Sequence, residues 1–142
     1  MISMYNKLGN KKEPIHYDFN DILKNLCYSS KDGVIFLNYE YFKLIAIIEN
    51  YDYIIQYLVK IIENVLLDVS EFTMHVSMKG LTLSDLDKYY GFISKISIIL
   101  KEKFPEKLNS CFIHNSPFIF SQLYKIVSAF IDKSTQKKIK MV

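Results

Sequence analysis

Histidine and cysteine are the side chains best suited to nucleophilic, acid–base or metal chemistry, and the chain has few of them: His16, His75, His114, Cys27 and Cys111. Cys111 and His114 are the closest mixed pair, three positions apart in the run CFIH, which reads as a strand. Successive strand side chains alternate between faces, so a separation of three sends the thiol and the imidazole to opposite sides. They can then neither share a metal nor act as nucleophile and base. His75 falls on the polar side of another alternating run and reads as a sheet-surface histidine. The sequence has no Gly-rich phosphate loop, no GxSxG elbow and no HExxH helix. No enzyme, metal site or cofactor is therefore expected.

Charge narrows the field further. The 142 residues carry 18 basic and 15 acidic side chains for a net charge of +3, and every basic residue is lysine. Lysine lacks the planar fork with which arginine grips phosphate or guanine, and +3 is far from the dense positive field of a nucleic-acid binder. Nucleic acid is not an expected partner. The two distant cysteines match neither a disulfide framework nor zinc spacing and fit a reducing compartment. The N-terminal stretch MISMYNKLGNKKEP lacks the apolar core of a signal peptide, and no apolar run approaches a membrane span. A cytoplasmic protein is expected. Half of the residues are hydrophobic, with only four Gly and three Pro. That surplus points to a large core, an interface or an apolar cavity.

The elements that position these residues follow from periodicity. Residues 1–15 are polar and aperiodic and read as a flexible N-terminal arm, leaving one domain over 16–142. Phe19, Ile22, Leu23 and Leu26 recur at helical spacing behind Asp18 or Asn20 as cap, and Ser29, Ser30, Asp32 and Gly33 break the helix. Val34–Leu37 reads as a short strand, and the segment 39–49 fits either helix or strand. Ile54, Ile55, Leu58, Ile61, Ile62 and Val65 give a helix over 52–67. Glu71–Lys79 alternates strictly, with Phe72, Met74, Val76 and Met78 on one side. Ser84 is expected to cap one long helix whose stripe is Leu86, Tyr90, Ile93, Ile96 and Leu100, ending at Pro105. A strand at Cys111–His114, a helical stretch over 118–130, a turn capped by Ser134 and a strand over 139–142 complete the series. Strands alternating with helices predict an α/β fold, a single domain with a mainly parallel mixed sheet and helices packed on it.

What remains for function is apolar. The Phe72, Met74, Val76, Met78 face and the aromatic group Phe112, Phe118, Phe120 and Tyr124 are candidates to line a pocket. Methionine is the soft, adaptable lining a flexible hydrophobic ligand suits.

The stretch from Phe104 onward resembles the CRAL-TRIO lipid-binding family, which includes phosphatidylinositol-transfer, tocopherol-transfer and retinal-binding proteins. Phe104-Pro105-Glu106, Asn115-Ser116-Pro117-Phe118, the helix Leu123–Val127, Phe130-Ile131-Asp132 and Lys138-Ile139 match the family's order and spacing. Upstream, Met78-Lys79-Gly80-Leu81 is similar to the end of its central strand. The resemblance implies non-enzymatic binding, transfer or presentation of a lipid or small hydrophobic ligand, with a transient membrane surface as partner. It also implies a C-terminally shortened member of the fold. Glu106 matches an acidic headgroup residue whose lysine partner is replaced by Ser128, with Lys125 one turn earlier as substitute. Ser77 replaces the family's usual Asp, and Phe72 and Met74 replace hydroxyl residues of phosphatidylcholine-binding members. The alternative is a protein-interaction module on the same fold, its interior filled by side chains and its aromatic face bound to a protein partner or to a second copy in a homodimer.

Overall fold

The computed structural model describes residues 2–3, 16–116 and 118–142. Residues 4–15, the bulk of the expected arm, and Pro117 lie outside the described residues. Ile2–Ser3 (β1) pairs antiparallel with His16–Tyr17 (β2).

Asp18 opens helix α1 (Phe19–Leu26) by accepting the Asn20 N–H at 2.9 Å, and the four apolar residues at helical spacing are all buried. Cys27–Ser29 (β3) then turns through residues 31–33 into Val34–Asn38 (β4). Gly33 is obligatory in this turn. Its φ is +76°, and a Cβ there would lie 2.8 Å from Val69 Cγ2. The ambiguous segment resolves into helix α2 (Tyr39–Ile45) and a single 3-10 turn before α3 (Tyr51–Val65). Phe42 and Ile45 are inward on α2, so burial at helical spacing overrides the segment's β-prone composition.

β5 (Phe72–Ser77) follows the alternation of its sequence. The next helix departs from expectation at two places. Its cap is Thr82, not Ser84, in a capping box with Asp85, and it breaks at Tyr89 into α4 (Leu83–Lys88) and α5 (Tyr90–Lys103). Tyr89 is buried against Phe42, with ring centroids 5.0 Å apart. Of the expected stripe only Tyr90 is exposed, its place taken by Tyr89, whereas Ile93, Ile96 and Leu100 face inward beside buried Phe92 and Ser97. β6 (Leu108–His114) begins earlier than the apolar run suggests, because Leu108 already pairs with Phe72. Helices α6 (Phe120–Ser128) and α7 (Lys133–Gln136) lead to β7 (Ile139–Met141). Asp132, not Ser134, caps α7, accepting the Thr135 N–H at 2.8 Å.

The main sheet runs β3-β4-β5-β6-β7, antiparallel only between β3 and β4. From β4 onward each strand is added to the same side of its predecessor. Right-handed crossovers laid down in one direction put their helices on one face of a sheet. Burial follows this rule. Ile35, Val76, Cys111 and Ile113 on one face are buried, whereas their alternating neighbours Phe36, His75 and Phe112 on the other are half-buried.

Candidate functional site

Between the sheet and its helices lie two adjoining cavities. The inner one, about 230 Å³, is floored by Leu37, Met74, Val76 and Ile113 and roofed by residues of α1 to α6, including Leu26, Ile62, Phe92 and Leu123. The outer one, about 260 Å³, is lined by Phe72, Phe104, Leu108 and Ile139, with Lys101, Glu106, Asp132 and Thr135 at its polar rim. Met74, Ser97, Leu100 and Val127 belong to both walls. Ser97 is buried but does not make this partition polar, because its hydroxyl donates back to the Ile93 carbonyl at 2.7 Å.

The thiol of Cys111 faces the outer cavity, and burial pushes it up to about 12; Cys27 is pushed up to about 12 for the same reason. Both are neutral thiols rather than nucleophiles, Cys111 in the outer wall and Cys27 in the core. At the rim, hydrogen bonds from Thr135 hold the Asp132 carboxyl below the usual range, and the Lys101 ammonium adds to the effect. Glu106 sits in the turn after α5 with φ +60°, the left-handed conformation that directs the chain from helix into β6.

One charged group lies in the otherwise apolar inner wall. Asp85 accepts from Tyr39 Oη at 2.7 Å, from the Thr82 N–H at 3.2 Å and pairs with Lys43 at 3.4 Å. Burial pushes its carboxyl up, but these donors outweigh it and hold the group below the ordinary range, while burial and the same bond raise the Tyr39 phenol.

The expected lining residues separate under this geometry. Phe72, Met74, Val76 and Met78 do line the cavities. Phe112 does not: it registers with His75 on the opposite face of the sheet, where the two rings stack at 5.0 Å. Strand alternation required this, since Cys111 and Ile113 are the inward residues. Phe118 is 92% exposed in the turn before α6. Phe120 and Tyr124 pack on each other at 5.8 Å, and Tyr124 donates to the Gln136 carbonyl, so neither forms part of either wall. Of the expected headgroup residues, Glu106 reaches the outer rim. Lys125 is exposed and outside it, and Ser128 turns its hydroxyl to the Lys125 carbonyl. The rim's cation is Lys101, whose signal in the sequence is its helical spacing of four from Ser97 on the same wall.

The face turned away from these helices carries a second cluster that single-strand reasoning missed. Tyr28, Phe36, His75 and Phe112 stack in a row across four strands, with centroids 5.3, 5.6 and 5.0 Å apart. His114 joins it diagonally, with His75 Nδ1 2.9 Å from His114 Nε2. The expected separation of Cys111 from His114 stands, but the imidazole of His114 meets one from the neighbouring strand.

This is an α/β sheet covered by helices on one side, with an apolar cavity between the layers. The CRAL/TRIO domain profile matches residues 5–142, and the chain belongs to that family. It is 33% identical over 64 residues to a SEC14 cytosolic factor of Yarrowia lipolytica and 28% identical over 64 residues to a Sec14 cytosolic factor of Schizosaccharomyces pombe. Each match covers 45% of this chain but only 13% and 22% of those proteins, so the chain corresponds to a minor part of their length. The crystal structure of Sfh5 superposes with a TM-score of 0.73 at 19% identity, over 96% of this chain and 54% of that one. The shared fold is thereby established. Among the described residues no helix is long and apolar enough to cross a membrane.

Proposed function

We propose that this domain binds a lipid or similar amphiphile without chemical conversion, its apolar part in the two cavities and its polar part at the outer rim. The observation that carries the reading is the continuity of apolar wall through Met74, Leu100 and Val127, shared by an inner chamber and one with a charged rim. Each buried methylene contributes about 0.8 kcal/mol, so the walls can hold a chain firmly without a specific headgroup contact.

In this reading Lys101 supplies at the rim the cation that Ser128 lacks, with Glu106 and Asp132 on the same rim as acceptors for hydroxyl or amine donors. Two carboxylates against one ammonium disfavour a headgroup with several phosphates. The domain's place in transfer or presentation follows from a ligand taken up from a membrane surface and released there.

Native mass spectrometry of freshly purified protein, followed by organic extraction, tests this reading. A stoichiometric lipid adduct is expected. A clean apo mass that persists after incubation with mixed phospholipid vesicles would overturn it in favour of a protein-interaction module on the same fold.

A further inference from the structure

The inner chamber gives a ligand almost nothing but hydrocarbon to touch. The polar groups of Ser97, Tyr39 and Asp85 on its wall are already engaged within the protein. Ser97 donates to the Ile93 carbonyl, and Asp85 accepts from Tyr39 Oη and the Thr82 N–H and pairs with Lys43. Lys101, Glu106, Asp132 and Thr135 lie instead on the outer chamber. A polar head therefore has a place only at the outer end, and the inner end suits a methyl terminus.

Volume sets how much chain can follow that terminus. At about 30 Å³ for a methylene, the inner chamber of about 230 Å³ takes about eight and the outer one of about 260 Å³ about nine. Together that is the length of one acyl chain of a common membrane lipid. A second chain would need as much space again, and the core behind the walls is filled, with Leu23, Ile35, Ile45 and Ile54 at most 1% exposed. Left outside, a second chain would keep its methylenes in water, at about a fourfold cost in binding for each.

We propose that the ligand is a single-chain lipid, with its methyl end in the inner chamber, its chain passing Met74, Leu100 and Val127, and its polar head at the outer rim. Monoacylglycerols have the matching chemistry: one chain, and an uncharged head whose hydroxyls donate to the rim carboxylates.

The proposal rests on the lipid-cavity reading, and the experiment separates the two. The intact, lipid-free chain is incubated with dioleoylphosphatidylcholine vesicles carrying equal amounts of monolauroyl-, monopalmitoyl-, monobehenoyl- and dipalmitoylglycerol. It is then separated from the vesicles and its adducts are read by native mass spectrometry. A methylene that fits passes from one apolar medium to another, so equal uptake of the lauroyl and palmitoyl lipids is expected. The behenoyl chain exceeds the space by about five carbons, and its uptake is expected to be lower by about a hundredfold or more. Neither dipalmitoylglycerol nor the vesicle phospholipid is expected to be carried. Ile96→Trp enlarges a side chain of the inner wall alone and is expected to move the limit to chains about two carbons shorter. The wild-type series decides the proposal by itself should this variant fail to fold. An adduct with dipalmitoylglycerol or the phospholipid, or equal uptake of the behenoyl and palmitoyl lipids, would overturn the single chain and leave the cavity standing. An unmoved limit in folded Ile96→Trp would overturn the placement of the methyl end. Absence of every adduct would overturn the cavity reading and the proposal with it.

Discussion

Met74 sits in the wall common to both chambers, so enlarging it reports on empty space and on ligand together. A methylene occupies roughly the liquid volume of a water, about 30 Å³, so the inner chamber of about 230 Å³ holds about eight of them. At about 0.8 kcal/mol each, they contribute about 6 kcal/mol before the costs of association. Met74→Trp fills the space of two or three methylenes, which predicts an affinity loss of about 2 kcal/mol, or about 30-fold. For the ligand-free protein the sign reverses. Unfilled core volume costs about 24 cal/mol per Å³, so occupying about 60 Å³ of it is worth about 1.4 kcal/mol and raises Tm by a few degrees. The assay pairs thermal melting of delipidated protein with lipid retention by native mass spectrometry. Higher Tm with lower retention is expected. A lower Tm with unchanged retention would show that side chains already fill this region, and the cavity argument would fail.

Gly33→Ala, which would need φ +76° and would press on Val69, is expected to lose about 1–3 kcal/mol in urea denaturation. Gly91→Ala, on an open side of α5, is expected to gain about 0.5–1 kcal/mol, and equal effects at the two positions would contradict the turn geometry. With both thiols pushed up to about 12, Ellman's reagent at pH 8 should react with the native protein about a thousandfold more slowly than with the urea-unfolded chain. Asp85 lies below its unfolded value when folded, so it adds stability above the ordinary carboxylate range that is lost as pH falls through its folded value. Denaturation midpoints of Asp85→Asn should therefore approach those of the wild type as the pH is lowered below 4, and a constant gap would refute the sign.

Much of the fold was legible because single periodicities carry it. The apolar residues of α1 and α3 and the alternation of β5 were decided by their own spacing, and burial ratified them. What local pattern could not decide was any position where a distant partner sets the register. Tyr89 turns inward to meet Phe42, splitting a helix that reads as continuous, and Leu108 is strand because Phe72 lies beside it. The site divided in the same way. Phe72, Met74 and Val76 of β5, with Met78 just past its end, reached the cavities because one strand's alternation determines them. Phe112 was misassigned because its hydrophobicity outweighed its parity with Cys111, and the rim cation was sought on α6 when α5 supplies it. Nothing in one strand announces that His75 and His114 meet, since that contact exists only once β5 and β6 are in register.

The order in which the sheet is assembled bears on how the chain can be made. Val34 meets Thr73, Thr73 meets Ser110, and Cys111 meets Ile139, so every parallel strand docks on the edge left by the one synthesised just before it. No later strand has to be threaded between two earlier ones. A chain emerging from the ribosome can therefore lengthen its sheet one strand-and-helix unit at a time, each exposed edge serving as the template for the next and remaining bare only until it arrives.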